Sequence, residues 1–337
     1  MITVNRARPF KRWPWLLIVM LLAAASTARS ATFGLAWDND LFVGTDRFYT
    51  NGLRLSGLWD VPCQTSGMAA CLAFDNRMSR GFLGQGALRH GLSLSLQQIM
   101  ITPEDIQRRR PDFDDVPYVG YGNLELGAFS WSSRRLLGYG VRLGTVGPNS
   151  GAKQTQKWVH RVTGSERPQG WSNQLGPDVI GGVFAVLAER RALPALKQGR
   201  QQQWGTALSV ELNNFRTALD AMIYYRIGRQ LPGNFVPDYA GAANAAALAG
   251  LFDDRAAGWG WESFVGLGLD IEGYSYLARR SDDFDFSAQP GTVMLFAGVG
   301  WHGLNVSLTA TLQGSTSPLR ETNDFFGYGS LAAMWRY

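Results

Sequence analysis

The sequence has few charged residues and, apart from its first thirty positions, no excess of either sign. Asp, Glu, Lys and Arg make up 18% of the 337 residues, and the formal net charge is +5. Residues 1–30 contain five of the 32 basic residues and no acidic one, which leaves 27 basic against 27 acidic side chains in the rest. Because nucleic-acid binding needs a concentrated basic surface, this balance gives no support to a nucleic-acid partner.

Several motifs that carry enzyme chemistry elsewhere are also absent. The sequence has no G-x-S-x-G elbow, no H-E-x-x-H zinc motif, no phosphate-binding P-loop and no C-x-x-C pair. What it has in quantity is glycine, with 40 residues, and aromatic side chains, at 12%. The chain is therefore too apolar and aromatic for disorder and too rich in glycine for a helical protein.

The first thirty residues have the three zones of a secretory signal peptide. A basic start is followed by an apolar run from Trp13 to Ala25 and by a small-residue segment that suits cleavage near Ser30 or Ala31. Thirteen apolar positions are fewer than the roughly 20 that a membrane-spanning helix needs. We therefore predict an exported protein, with 1–30 as the cleaved signal.

Residues 31–337 are predicted to form one domain, without an internal repeat or a linker. Cys63 and Cys71 lie in a turn-rich segment with no neighbouring histidine, and export exposes them to oxidising conditions. They predict a loop disulfide and not a metal site. No later apolar run is long enough to cross a bilayer as a helix, so the exported chain is either periplasmic or a transmembrane barrel.

Strands with one apolar and one polar face recur along this domain. From Leu304 to Gln313, Leu, Val and Ala alternate with Asn, Ser, Thr and Gln. The runs number ten to twelve, and an even count is expected of a bacterial barrel. They lie near residues 31–38, 48–59, 89–101, 118–130, 135–146, 205–215, 217–229, 258–273, 292–301, 303–313 and 325–337. Long connections are expected on the extracellular side: 60–88, 147–175, 190–203 and 230–257.

Alternation alone fits either a soluble β-sandwich or a transmembrane antiparallel β-barrel. Glu211, Glu262 and Asp270 fall on the polar faces together with many glycines, as expected of a narrow polar lumen. Trp and Tyr crowd the strand ends, and the last strand stops on the aromatic Tyr337. These features favour an all-β outer-membrane barrel over a periplasmic sandwich.

Three polar clusters go beyond what a plain barrel requires. Asp38, Asn39 and Asp40, followed by the segment 46–52, supply hard oxygen donors that suit Ca²⁺, or they form a polar turn between two strands. Further on, a short helix is predicted from about Ala152 to Thr163.

This predicted helix places His160 one turn after Gln156 on the same face. The histidine is either structural or a general base that works near neutral pH. A third cluster, Arg108, Arg109 and Arg110 upstream of 115–118, is either a solvated face or a contact for anionic lipid phosphates.

Taken in order and spacing, these motifs resemble the lipid A 3'-O-deacylase family of outer-membrane enzymes. The resemblance covers most of the chain after the signal peptide and is strongest from Asn39 to Gln174. It rests on Asn39-Asp40, the T-D-R-F-Y-T-N-G run at 45–52, D-V-P-Y at 115–118, Gly147-Pro148, Gln156 with His160, and G-W-S-N-Q at 170–174.

The resemblance implies a twelve-stranded barrel with a Ca²⁺-dependent site that hydrolyses the ester of the 3' acyloxyacyl chain of lipid A in lipopolysaccharide. By motif, His160 corresponds to the catalytic histidine, and Asn39, Asp40 and Thr50 to active-site residues close to the metal, with Asp40 and Asn39 holding it. Supporting or substrate-binding roles fall to Gln156, Glu166 and Arg108. The sequence departs from the family pattern at Val116, where the family usually has Arg.

The residues are consistent with a mechanism that needs no serine nucleophile. His160 can take a proton from water while a Ca²⁺ near Asp40 and Asn39 polarises the ester carbonyl. Two alternatives stay open: a phospholipase or a hydrolase of another acyl position, and a non-enzymatic barrel whose clusters only brace loops. We expect a monomer in the outer membrane.

Overall fold

The computed structural model is a closed antiparallel barrel of twelve strands. It describes residues 31–43, 48–61, 77–84, 86–237, 248, 258–281, 283–321 and 325–337. The predicted signal peptide, Cys63 and Cys71 lie outside the described residues. Within the described part, none of the helices has the length and apolar character needed to cross a membrane.

The strands follow one another around the barrel in chain order. They are β1 (Ala31–Asn39), β2 (Phe48–Asp60), β3 (Arg89–Thr102), β4 (Val119–Trp131), β5 (Arg135–Val146), β6 (Asp178–Leu193), β7 (Gln201–Asn213), β8 (Arg216–Arg229), β9 (Gly260–Ser275), β10 (Gly291–His302), β11 (Val306–Ser315) and β12 (Phe326–Arg336). The α-helices are α1 (Arg77–Leu83), α2 (Ala152–Thr163) and α3 (Tyr276–Arg280), and 3₁₀ turns lie at Asp40–Val43, Pro148–Ser150, Gly170–Asn173 and Lys197–Gly199.

The apolar faces of the strands point outward, as the alternation predicts. On β11, Leu308 and Leu312 are exposed, whereas Thr309, Thr311 and Gln313 are buried inside. The first and last strands pair directly, with Ala36 of β1 opposite Ala332 of β12, so no strand edge is left open. This arrangement confirms the barrel and contradicts the sandwich.

The lumen is filled by paired charges in its middle section. Arg142 of β5 makes ion pairs with Glu125 of β4 and with Glu211 of β7, and Arg54 of β2 approaches Glu125 at 3.3 Å. Arg226 of β8 pairs with Glu262 of β9 at 3.2 Å. Buried charges are tolerated only when they are paired and hydrogen-bonded, so this network accounts for the polar inner face.

Near the chain termini the lumen is closed by apolar groups. Phe235, from the connection between β8 and β9, is fully buried, and its carbonyl accepts a hydrogen bond of 2.8 Å from the Tyr224 hydroxyl. It belongs to a buried cluster with Phe184 and Phe296, which point inward from β6 and β10. The described residues therefore give the barrel a plugged interior.

The strand β6 was not among the predicted runs, and the apolar plug explains why. Its inward residues Ile180, Phe184 and Val186 are as apolar as its outward residues Val179 and Val183. A strand with two apolar faces has no period-two signal. The final count of twelve lies within the predicted range.

The connections divide between two rims. The terminal rim is the end that holds Ala31 and Arg336, and the distal rim is the opposite end. The 147–175 region lies at the distal rim, but the connections after β2, β6 and β8 lie at the terminal rim. The expectation that all long connections share one side is therefore wrong. Strand direction decides the side: β2 already ends at the terminal rim, with Trp59 opposite Ala31, and the missed strand β6 reverses the assignments that come after it.

Candidate active site on the outer wall

A β-bulge at the start of β2 places two consecutive polar residues on the outside of the barrel. Tyr49 points into the lumen, where its hydroxyl donates to Asp38 Oδ2 at 2.8 Å. The register with β3 then shifts between Tyr49 and Asn51. Because a bulge inserts one extra residue, Thr50 and Asn51 share the outer face, and Thr50 Oγ1 lies 2.5 Å from Thr102 Oγ1 on β3.

Asn39 lies on this same outer face. It is opposite Asn51 in the pairing of β1 with β2, and it shares its face of β1 with Leu35, which is exposed on the outer wall. Its side-chain Nδ2 donates to the Thr50 carbonyl at 3.3 Å. The structure thus brings Asn39 and Thr50 together as predicted. The cluster of Asn39, Thr50 and Asn51 lies on the outer side of the barrel wall.

Helix α2 lies against this outer wall, on two glycines of β4. A Cβ added at Gly120 would lie 2.3 Å from Ser150 Oγ and 2.6 Å from the Ala152 Cβ, and one added at Gly122 would lie 3.3 Å from the Ser150 carbonyl. Gln98, an outward residue of β3, donates to the Ser150 carbonyl at 2.7 Å. The absence of side chains at both glycines lets the helix begin in contact with the strand backbone.

The helix has the predicted bounds, and its wall-facing side carries the predicted pair. Ala152, Gln156 and His160 are its buried residues. The His160 Nδ1 donates to the backbone carbonyl of Glu166, which lies beyond the left-handed Gly164 that ends the helix. A carbonyl oxygen can only accept, so Nδ1 carries the proton and the lone pair of a neutral ring is on Nε2. This tautomer suits a general base.

Gln156 is fixed by an aromatic pair from neighbouring segments. The Trp171 indole Nε1 donates to Gln156 Oε1 at 2.6 Å, and the Trp171 ring packs on Tyr118 with centroids 4.9 Å apart. Because an indole N–H only donates, the amide oxygen of Gln156 is the atom that meets Trp171. Its Nε2 is buried and has no hydrogen-bond partner among the described residues. A buried amide donor next to His160 can bind an oxygen of a ligand.

The turn that carries Asp40 folds over the outside of β12. Phe42 packs over Gly329, where an added Cβ would lie 2.5 Å from the Phe42 Cβ, and its ring meets Trp37 at 5.4 Å. This packing buries Asp40 directly after Asn39. The glycine again allows a segment to lie flat on the outer wall.

The oxygen donors at this turn fit Ca²⁺ by type. Asp40 supplies a buried carboxylate and Asn39 an amide, and Ca²⁺ accepts both together with backbone carbonyls and water. Among the residues that the structure describes, no three His, Cys, Asp or Glu side chains form a metal-binding group. A cation here would therefore take most of its ligands from amide, carbonyl and water oxygens.

The side chains of Glu166 and Arg108, predicted to support the site, do not contact His160 or Gln156. The Glu166 side chain is exposed, and its contact with His160 is made by the backbone. The Arg108 guanidinium forms an exposed ion pair with Asp112 in the connection between β3 and β4. Arg109, its neighbour, donates to Gln169 Oε1 at 2.8 Å and so ties this connection to the segment after α2.

Thr102 and Trp171 were missed as site residues. Thr102 contacts Thr50, and Trp171 orients Gln156. Trp171 stands inside the G-W-S-N-Q motif, and a large indole within this otherwise small and polar motif was the available sequence signal. Thr102 had no such signal, because its neighbour is set by the register of β2 against β3.

A closed barrel with an apolar outer surface and a polar cluster on that surface defines the class of outer-membrane barrel proteins. The family model described as "Outer membrane protein LpxR" matches residues 14–337. The chain belongs to this family, which is the lipid A 3'-O-deacylase family that its motifs resemble.

The fold agrees with that of a solved structure. LpxR from Salmonella typhimurium aligns with a TM-score of 0.69 at 17% identity and covers 90% of this chain and 99% of its own. The translocator domain of the autotransporter NalP from Neisseria meningitidis aligns with a TM-score of 0.37 at 8% identity, over 95% of this chain and 94% of its own. No match is found among curated proteins.

Proposed function

We propose that this protein is a Ca²⁺-dependent lipid A 3'-O-deacylase that uses His160 to activate water. Family membership supports the substrate class. The observation that carries the proposal is the tautomer of His160, which is fixed by donation to the Glu166 carbonyl on a helix pressed against the lipid-facing wall. The distal rim, in this proposal, is the extracellular one, where lipid A forms the outer leaflet.

The position of the site suits a substrate that never leaves the membrane. Asn39, Thr50 and the buried face of α2 lie on the outer wall, so an acyl chain can reach them sideways from the lipid layer. In the part of the chain that the structure describes, the apolar cluster around Phe235 closes the lumen near the terminal rim.

The reaction is an ester hydrolysis in two steps. His160 Nε2 takes a proton from water as the water oxygen bonds to the ester carbonyl carbon. The bond from that carbon to the sugar oxygen then breaks, and the imidazolium gives its proton to the departing sugar oxygen, which becomes a hydroxyl group. Gln156 Nε2, a buried donor without a hydrogen-bond partner among the described residues, would donate a hydrogen bond to the substrate. Asp40 and Asn39 would hold Ca²⁺, which supplies positive charge for the developing oxyanion when bound.

The direct test is mass spectrometry of lipid A from cells that express the protein. We expect loss of the 3' acyloxyacyl chain with the wild type and no loss with empty vector. Intact lipid A in cells with properly inserted protein would contradict the reaction. Hydrolysed phospholipids in the same extracts would identify the protein as a phospholipase. Loss of a different acyl chain from lipid A would identify it as a deacylase of another position.

Replacing Gly120 with alanine is expected to lower deacylation about tenfold while the barrel still folds. The new Cβ overlaps Ser150 and Ala152, and an overlap of this kind costs about 1–3 kcal/mol, which displaces the start of α2. Gly181→Ala is the matched control, because the nearest atom to its added Cβ is Leu143 Cδ2 at 3.7 Å. Activity is measured on lipid A in detergent, and folding by heat-modifiable gel mobility. Equal activity of the two variants would show that close seating of α2 is not required.

A further inference from the structure

Helix α2 has a basic flank beside its wall-facing side. Lys157 and Arg161 each follow a buried residue, Gln156 or His160, by one position, which is a rotation of about 100° around the helix. A third face carries Trp158 and Val162, which are 61% and 67% exposed. An exposed aromatic beside cations is typical of a helix that lies at a lipid–water interface.

The basic flank faces a pocket of about 670 Å³ that has no acidic lining residue. Its walls are Lys157 and Arg161 from α2, Arg167 with the adjoining Pro168 and Gln169, and Arg109 from the connection between β3 and β4. Lys157, Arg161 and Arg167 form no ion pair with any residue in the described ranges.

Other exposed arginines of this chain do have acidic partners. Arg108 pairs with Asp112, and Arg280 pairs with Asp178 at 2.9 Å. Four cations gathered without a counter-charge repel one another, and an anion that enters the pocket relieves that repulsion. The pocket walls are also held in place, since Arg109 and Gln169 are hydrogen-bonded to each other at 2.8 Å. Arginine forks bind phosphate oxygens in pairs, so a phosphate group is the anion that best matches this set.

We propose that this pocket is a subsite for the phosphate monoester of lipid A, on the sugar carbon next to the one that carries the 3' ester. The inference rests on the proposed function, because it assumes that His160 acts on the 3' ester. The phosphate would then lie at the basic flank of α2, next to the face that carries His160. The basic pocket then fixes the sugar ring, and His160 meets the neighbouring ester.

The test measures binding apart from turnover. Full-length protein in detergent micelles carries His160→Ala, so that the substrate stays intact. Calorimetry compares bisphosphoryl lipid A, the same lipid without its 4' phosphate, and inorganic phosphate. We expect the phosphorylated lipid to bind at least about tenfold more tightly than the dephosphorylated one, the scale of charge-assisted hydrogen bonds.

The triple variant Lys157→Gln, Arg161→Gln and Arg167→Gln is expected to remove this preference. The matched control neutralises three exposed cations at the terminal rim, Lys197, Arg200 and Arg229, and is expected to keep it. A His160→Ala protein that does not discriminate between the two lipids, or a triple variant in that background that still does, would overturn the proposal. Inorganic phosphate that binds the pocket as tightly as the phosphorylated lipid would also overturn it, since the pocket would then be a free-phosphate site.

This design separates the subsite from the reaction. If wild-type protein fails to remove any acyl chain but the preference for the phosphorylated lipid depends on the three cations, the deacylase proposal fails and the subsite stands. If deacylation proceeds equally on both lipids, the subsite fails and the deacylase stands.

Discussion

Replacing His160 with asparagine is expected to lower lipid A deacylation by about a hundredfold or more, the usual contribution of a general base. The substitution is chosen because the side-chain amide of asparagine can reproduce the Nδ1 donation to the Glu166 carbonyl. What it lacks is an atom in place of Nε2 that can take a proton from water. The variant therefore keeps the structural contact and loses the proposed chemistry. The initial rate of acyl release, with folding followed by heat-modifiable gel mobility, measures the effect.

A second buried histidine provides the control. His302 on β10 is also held through one ring nitrogen, with Nε2 at 2.7 Å from the Gln230 carbonyl, but it lies at the terminal rim. His302→Gln keeps a donor for that carbonyl, and we expect near wild-type activity. If His160→Asn stays active, His160 only braces the segment after α2, and the protein hydrolyses lipid A by another mechanism.

Removal of Ca²⁺ is expected to abolish deacylation, and Asp40→Asn is expected to raise the Ca²⁺ concentration required by about tenfold or more. Asp40 is the buried carboxylate of the outer-wall cluster, so its loss removes the main charge that attracts the cation. Mg²⁺ is expected to restore little activity after chelation, because it loses its water shell reluctantly and demands a smaller, octahedral site. The measurement is the rate of acyl release as each cation is titrated into chelated protein.

The distal rim offers a rival location for a cation, which a control variant tests. Glu104, Asp114, Asp285 and Glu321 line a cavity of about 680 Å³ there. Asp114→Asn is expected to leave the Ca²⁺ requirement unchanged. A shift with Asp114→Asn and none with Asp40→Asn would move the cation to that cavity and leave the outer-wall cluster with a structural role only.

The facing of strand residues and the bounds of helix α2 could be predicted from the sequence, because both depend on residues that are close together in the chain. Alternation shows which residues of β11 face lipid, since Leu308 and Thr309 must point to opposite sides of a strand. The bounds predicted for α2, about Ala152 to Thr163, are those that the structure has, and Gln156 and His160 share one face as predicted. The order of the motifs was also sufficient to recognise the family.

The alternation of apolar and polar residues failed as a strand signal where the inside of the barrel is as apolar as the outside. The strand β6 points Phe184 and Val186 into an apolar part of the lumen. Both of its faces are therefore apolar, and its sequence shows no alternation of apolar and polar residues. Without β6, the side of each later connection could not be counted correctly. The plug that hides β6 is built by Phe235, which is distant in sequence and meets the strand only in the closed barrel.

The sequence by itself determined every strand except β6, helix α2 and the residue types of the candidate site, because hydrophobic period and turn chemistry act over a few residues. Only the tertiary structure decided that the site lies on the lipid-facing wall. That placement depends on the bulge that turns Thr50 outward and on the close seating of α2 over Gly120, and both are fixed by pairing between strands. A bulge shifts the register against the partner strand and so decides to which side of the sheet a residue points. The sequence pattern of one strand alone does not show that register.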